Sequence, residues 1–292
     1  MKRFAVYLTI SHLTFTCGLA AASLWNGTTV KPKHEQAPFK VLKQARMEIP
    51  PPPPPAVNST SFVKPHREVI FGNGRLKIVP HQIRLRSDRL RYEIDVSYPE
   101  IVGSNDPQIE KLNRHLRKLA TDQYQWPMHP SEADLRFYKN KHPEASNTVD
   151  LDYEIRLATD SQLSIFFIGY NYGIGAAHSV QYSFTVNYDL TLRKELSLSD
   201  LFKAKSKYLE FIAGYCREEL SKKLGGFLFD GALSARAQNF DNWNLTPSGI
   251  AFNFDACKLT GCAAGKQEVE IPFSALQPWL NSRTLDLASK AL

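Results

Sequence analysis

The densest run of residues able to do chemistry is Gly169-Tyr170-Asn171-Tyr172-Gly173-Ile174-Gly175-Ala176-Ala177-His178. Its glycines and alanines let a backbone turn tightly or come close to a neighbour. Nucleotide chemistry does not fit. Gly173-x-Gly175 lacks the third glycine of a dinucleotide fingerprint, and a strand pattern follows where a helix N-terminus is required. His178 could serve as a general base, a metal ligand or a buried hydrogen-bonding group. Acid–base work needs an activated nucleophile or a second titrating partner. The surroundings of Ser179, Ser197 and Cys216 resemble neither a nucleophile elbow nor a Cys–His protease pattern. A metal site needs three or four ligands, and the chain has no HExxH and no paired CxxC. No catalytic residue, metal or cofactor is therefore assigned. His178 reads first as structural and second as ligand-contacting. With Tyr170, Asn171 and Tyr172 it makes the candidate ligand-binding set, because tyrosine joins an apolar face to a hydroxyl. The competing reading packs both tyrosines inside.

Asp200, in Leu196-Ser-Leu-Ser-Asp-Leu-Phe202, could offer an acid, but Ser199 or Asp200 reads better as a cap where the chain enters a helical turn. Of the four cysteines, Cys17 falls in an apolar N-terminal run. Cys257 and Cys262 stand five apart across Lys-Leu-Thr-Gly, a segment able to turn back on itself. A disulfide is the favoured reading there in an oxidising compartment, and so short a loop contributes about 2 kcal/mol. Cys216 falls on an apolar helix face and reads as a buried free thiol.

The elements that must position these residues follow from periodicity. Tyr92, Ile94, Val96 and Tyr98 alternate with polar residues, a half-buried strand. Asp106-Pro107 reads as an N-cap with proline in the first turn, and Ile109, Leu112, Leu116 and Leu119 follow as an amphipathic stripe. Residues 125–148, polar and broken by Pro127, Pro130 and Pro143, read as a long loop. Leu151 to Leu157 and Leu163 to Ile168 form a strand pair across Thr159-Asp160-Ser161, and Tyr182 to Leu190 alternates again. Tyr208 to Leu220 presents a broad apolar helix face that Gly225-Gly226 stops. Trp243 to Phe254 reads as a hairpin and Val269 to Phe273 as a last strand, with Ser274 capping a short helix through Leu280. Without βαβ alternation the expected class is α+β, mostly antiparallel sheet with two main helices. A smaller N-terminal subdomain, 69–168, and a C-terminal one, 169–285, are expected.

The chain of 292 residues is 43% hydrophobic and 22% charged, which excludes wholesale disorder. Its net charge of +7 is concentrated at one end. Residues 1–49 carry seven Lys or Arg against two Glu, leaving +2 on the remainder, too little for a nucleic-acid footprint. Lys2 and Arg3 precede the apolar run Phe4 to Trp25. Two readings stay open for residues 1–25: a signal peptide cleaved after Ala20-Ala21-Ala22, or a retained anchor of 22 residues, near the ~20 that span a bilayer. The run is long for a cleaved segment, so the anchor is preferred. Residues 26–61, basic and then proline-rich over Pro50 to Pro55, read as a stiff tether.

Tyr92-Glu-Ile-Asp-Val-Ser-Tyr-Pro99, Tyr170 to His178, Asn187-Tyr-Asp-Leu190 with Leu196 to Phe202, and Phe252-Asn-Phe254 through Val269 to Phe273 stand in one order and spacing. In that arrangement the chain resembles the extracytoplasmic domain shared by RsiV-like anti-sigma factors and PdaC-like peptidoglycan deacetylases, the domain of unknown function 3298. Cys257 and Cys262 stand where many relatives carry aromatic residues. The resemblance implies a binding or sensing module of the cell envelope, non-catalytic; a monomer is expected. Its ligand would be a peptidoglycan-related glycan or an extracellular protein such as lysozyme. A hydrolase or deacetylase-associated enzyme acting near His178 and a structural envelope protein are the alternatives.

Overall fold

The computed structural model describes residues 66–291, with the side chains of the last few left aside. The expected membrane segment and tether lie outside the described residues. Among the described residues no helix is long and apolar enough to cross a membrane.

A seven-stranded sheet organises the fold, with its strands in sequence order. They are β1 (Val69–Phe71), β2 (Leu76–Ser87), β3 (Tyr92–Val102), β4 (Asn147–Ala158), β5 (Gln162–Tyr172), β6 (Val180–Asp189) and β7 (Lys194–Glu195). All neighbours are antiparallel except β3 and β4. A parallel pair needs a crossover. Here it runs through α1 (Pro107–Asp122), a 3-10 turn at Trp126–Met128 and α2 (Glu132–Lys141). The class is α+β as expected, but two readings are corrected. There is one βαβ crossover, and residues 125–148 are not a continuous loop. The cause of α2 is local: the Ser131 hydroxyl accepts from the Asp134 amide while the Asp134 carboxylate accepts from the Ser131 amide, a closed capping box.

Asp106 caps α1, accepting from the Gln108 amide at 2.9 Å. Ile109, Leu112, Leu116 and Ala120 are buried against one face of the sheet, together with Ile94, Val96, Val149, Leu163, Ile165 and Phe167. Asn113 pins the helix by bonding both the amide and the carbonyl of Ile101. Strand side chains alternate between faces, so Ser164, Phe166, Ile168, Tyr170 and Tyr172 point away from α1.

The lower part of that second face is covered by a three-stranded sheet of β8 (Trp243–Leu245), β9 (Gly249–Phe254) and β10 (Gln267–Pro272). The seam is polar. Asn244 donates to the Ser164 hydroxyl, Ser164 donates to Asn187, and Asn187 donates to the Trp243 carbonyl at 2.7 Å. Arg156 bridges to Glu268 at 2.9 Å. A second hydrophobic cluster lies beyond, built on α3 (Tyr208–Leu224), where Ile212, Cys216 and Leu220 pack with Phe240, Phe252, Phe254 and Ile271. Gly225 ends α3 in the left-handed conformation, φ 62°. Residue 168, where a subdomain boundary was expected, lies inside β5.

The C-terminal helix is shorter than expected. Pro272, not Ser274, sits at the cap of α4 (Phe273–Leu276), and a further helix, α5 (Ser282–Ala291), follows. Arg283 of α5 reaches the buried Asp189 of β6 at 2.7 Å. Cys257 and Cys262 form a disulfide, and Cys216 is a buried free thiol, both as the sequence indicated.

Candidate functional site

The Tyr170–His178 segment is the end of β5 and the loop into β6. Gly169 sits before it, opposite Tyr182 in the register, and the Tyr182 ring lies over the space a side chain would fill. Within the loop, Gly175 takes φ 92°, which L side chains rarely adopt. Ile174 is buried, and its amide donates at 2.8 Å to Asn147, itself buried at the start of β4. The loop is therefore held to the sheet near its start, while residues 175–180 are exposed.

The four expected ligand residues do not converge. Tyr170 is exposed on the face away from α1, between Asp150 of β4 and Gln181 of β6. Tyr172 shares that face and is half-buried opposite Thr148. Asn171 alternates to the other face, where its Oδ1 is buried without a hydrogen-bond partner among the described residues. His178 is exposed at the tip, its Nδ1 3.0 Å from the carbonyl oxygen of Ser179. The reading in which both tyrosines pack inside fails for Tyr170.

The surroundings bring in residues that the sequence reading missed. Trp126 lies 4.0 Å from the position a Cβ on Gly173 would take, and Phe137 lies 3.4 Å from that on Gly175, with His142 at 3.5 Å. Phe137 and His142 are in contact, ring centroids 5.3 Å apart. Trp126, Phe137 and Tyr170 are 44%, 45% and 41% exposed, high for large apolar side chains at one end of a sheet. A β-carbon at either position would make only ordinary contact with these rings; at 175 it is the positive φ that favours glycine. The signal available in the sequence was Ser131-x-x-Asp134, a capping box that turns a supposed loop into a helix carrying Phe137.

Beside Tyr170 the sheet is acidic. Asp150 aligns with Asp95, and the Asp150 carboxyl is pushed up from its ordinary value, first by desolvation and then by the charges of Asp95 and Glu93. Asp95 is held by Gln82 at 2.6 Å and Arg84 at 3.2 Å. Asp200, by contrast, is structural. Of the two expected capping groups, Asp200 serves: its carboxylate accepts from the Ser197 amide in a capping box with Ser197 at the N-cap. Desolvation works against the Asp200 carboxylate, but hydrogen bonds from Lys194 and Ser197 prevail and hold it below its ordinary value. Among the described residues no group of three or more His, Cys, Asp or Glu is placed to hold a metal ion. Flat rings around a fixed, glycine-rich loop can stack on a ligand's apolar face while exposed backbone groups bond its polar edge.

Two family profiles match the chain. One, described as deacetylase PdaC, matches residues 86–181, and the other, a protein of unknown function (DUF3298), matches residues 199–274. A curated relative, the peptidoglycan-N-acetylmuramic acid deacetylase PdaC of Bacillus subtilis, is 26% identical over 208 residues, which is 70% of this chain and 42% of that protein. The chain thus spans under half the length of the curated relative it matches. A DUF3298-family crystal structure from Bacteroides fragilis superposes with a TM-score of 0.56 at 17% identity, covering 74% of this chain and 98% of that one. A DUF3298-family protein from Pseudomonas aeruginosa gives a TM-score of 0.48 at 16% identity, covering 72% and 95%. Together the profiles, the relative and the first of these structures support a PdaC/DUF3298-like domain in this chain.

Proposed function

We propose that this PdaC/DUF3298-like domain is a non-catalytic recognition module of the bacterial cell envelope, working outside the cytoplasmic membrane, and that the β5–β6 loop takes a peptidoglycan-related glycan. One observation carries the reading: Trp126 and Phe137 of the crossover keep large apolar faces in solvent beside a loop held by the Ile174–Asn147 bond, and Tyr170 is exposed on the other face of the same sheet end. Exposed aromatic faces beside a fixed loop offer a contact surface for a ligand. Sugars offer a matching chemistry, apolar C–H faces with hydroxyl edges.

A deacetylase role is disfavoured. The curated relative bears that name, but the match covers 42% of it. Here His178 is exposed just before β6 and its hydrogen bond is with its neighbour's carbonyl, so no acid–base pair is formed around it among the described residues.

Cosedimentation of the purified protein with peptidoglycan sacculi tests the proposal. Wild type is expected in the pellet, and Trp126→Ala with Phe137→Ala is expected to lower the bound fraction at least tenfold while far-UV circular dichroism is unchanged. Acetylated chitooligosaccharides should be recovered intact. Equal pelleting of wild type and the double variant would remove the loop as the site. Turnover lost in His178→Ala with the fold intact would replace the binding reading with an enzymatic one.

A further inference from the structure

A cavity of about 280 Å³ opens at the far end of β5 from the Tyr170–His178 loop, between the β4–β5 turn and the segment carrying β8, α4 and α5. Its walls divide by chemistry. Leu157, Leu245 and Phe273 form an apolar side, and Asp160, Ser161 and Gln162 a polar one. Gln162 is only 6% exposed, yet its Nε2 has no hydrogen-bond partner among the described residues. Buried amides are nearly always paired, so an unpaired one lining a cavity marks a place for an acceptor. The three threonines of the wall are already engaged: Thr159 donates to the Gln162 carbonyl, Thr246 donates to Glu270 and Thr284 donates to Asn281. Asp160 accepts from the Asn73 amide through Oδ1 at the exposed rim. Among the described residues no Lys, Arg or His lines the cavity.

We infer that this cavity is a binding site for one uncharged N-acetylated hexosamine unit. The volume lies at the small end of ligand pockets, which begin near ~300 Å³, and suits one ring rather than a chain. An acetamido carbonyl supplies the acceptor that Gln162 lacks, and its methyl group meets the leucines. The ring's apolar face lies against Phe273. Sugar hydroxyls donate to Asp160 and exchange hydrogen bonds with Ser161 at the rim. The same Asp160, with no cation among the described lining residues, disfavours an acidic sugar. The site is separate from the aromatic loop and does not depend on that reading.

Saturation-transfer NMR and calorimetry on the purified full chain decide the matter, using N-acetylglucosamine, glucose and N-acetylmuramic acid as probes. N-Acetylglucosamine is expected to bind with its strongest transfer at the acetamido methyl, glucose at least tenfold more weakly, and the anionic sugar severalfold more weakly. Gln162→Leu should weaken N-acetylglucosamine at least tenfold. Should that variant fail to fold, Ser161→Ala, at a partly exposed position, is expected to weaken it about threefold with the near-UV spectrum unchanged. No binding means that the cavity holds water only and overturns the inference. So do equal binding of glucose, or unchanged affinity in a folded Gln162→Leu or Ser161→Ala. Binding lost in Trp126→Ala but kept in Gln162→Leu would put the sugar at the loop and overturn the cavity site alone.

Discussion

A β-carbon on Gly169 would run into the ring of Tyr182, its register partner. The pair is an aromatic laid over a strand glycine, and it leaves the Tyr182 hydroxyl buried with its pKa raised, chiefly by desolvation. Gly169→Ala is therefore expected to destabilise by about 1–3 kcal/mol, the usual cost of overpacking, read as a lower urea midpoint at constant slope. Periodicity marks Tyr182 as inward-facing but says nothing of which glycine it covers, since that is set by the β5–β6 register. Cys216 is a second residue whose state follows from burial. Its thiol is pushed up to about 12 by desolvation within the α3 cluster. In the unfolded chain the thiol ionises near its ordinary value of 9.0. The folded form then holds more protons than the unfolded form between these values, so stability falls as pH rises through that window. Cys216→Ala should lose less stability than wild type between pH 8 and pH 10. In a Cys17→Ser background, Ellman's reagent should find no reactive thiol in the native protein, and rapid labelling would show that Cys216 is not sealed.

At the scale of elements, α2 is the piece that periodicity missed. None of its residues is buried, so there is no apolar stripe to read, and its flanking prolines argue for a loop. What holds it is chemistry at its ends. The box between Ser131 and Asp134 starts it, Lys139 and Lys141 in the last turn suit its dipole, and hydrogen bonds from Ser131 hold the Asp134 carboxyl below its ordinary value. A helix with so little packing depends on its cap. Ser131→Ala is expected to cost about 1 kcal/mol of local stability, seen as faster amide exchange across 132–141 with β3–β5 unchanged. Because α2 carries Phe137, sacculus binding should weaken with it. Unchanged exchange in that helix would mean that its contacts with Gly175, not its cap, keep it folded. The strands were easier. β3 and β4 bury mainly one face and read as alternation, and β6 alternates in sequence although its last four residues are buried on both faces. β2 has only the short alternation of Ile83 and Leu85 with Arg84 and Arg86, interrupted upstream by Pro80, too little to mark a strand.

For the whole molecule, the class was legible because each long element repeats its own period, while the single parallel pair and the covering of β5 by β8 join residues far apart in sequence. Ser164 and Asn244 are 80 residues apart and meet only through the fold. The site was legible in part for the same reason: the loop announces itself by composition, and its aromatic neighbours come from a different segment. Charge is the property in which sequence and fold must be weighed together. Residues 50–292 carry a net charge of only +2, so the body offers no long-range attraction for a strongly basic protein. The fold does assemble Glu93, Asp95 and Asp150 beside Tyr170, but Arg84 already compensates Asp95 at 3.2 Å. A short, half-neutralised acidic strip acts over about a Debye length, roughly 10 Å at 0.1 M salt, and steers weakly. Basic lysozymes are therefore expected to bind weaker than micromolar, with little change between 20 and 150 mM salt, when titrated calorimetrically into the purified protein. Asp150→Asn should leave that weak binding within about twofold. Sub-micromolar affinity that strengthens as salt falls and drops in Asp150→Asn would show that the local strip outweighs the net charge, and would favour a basic protein over a glycan as the partner of this face.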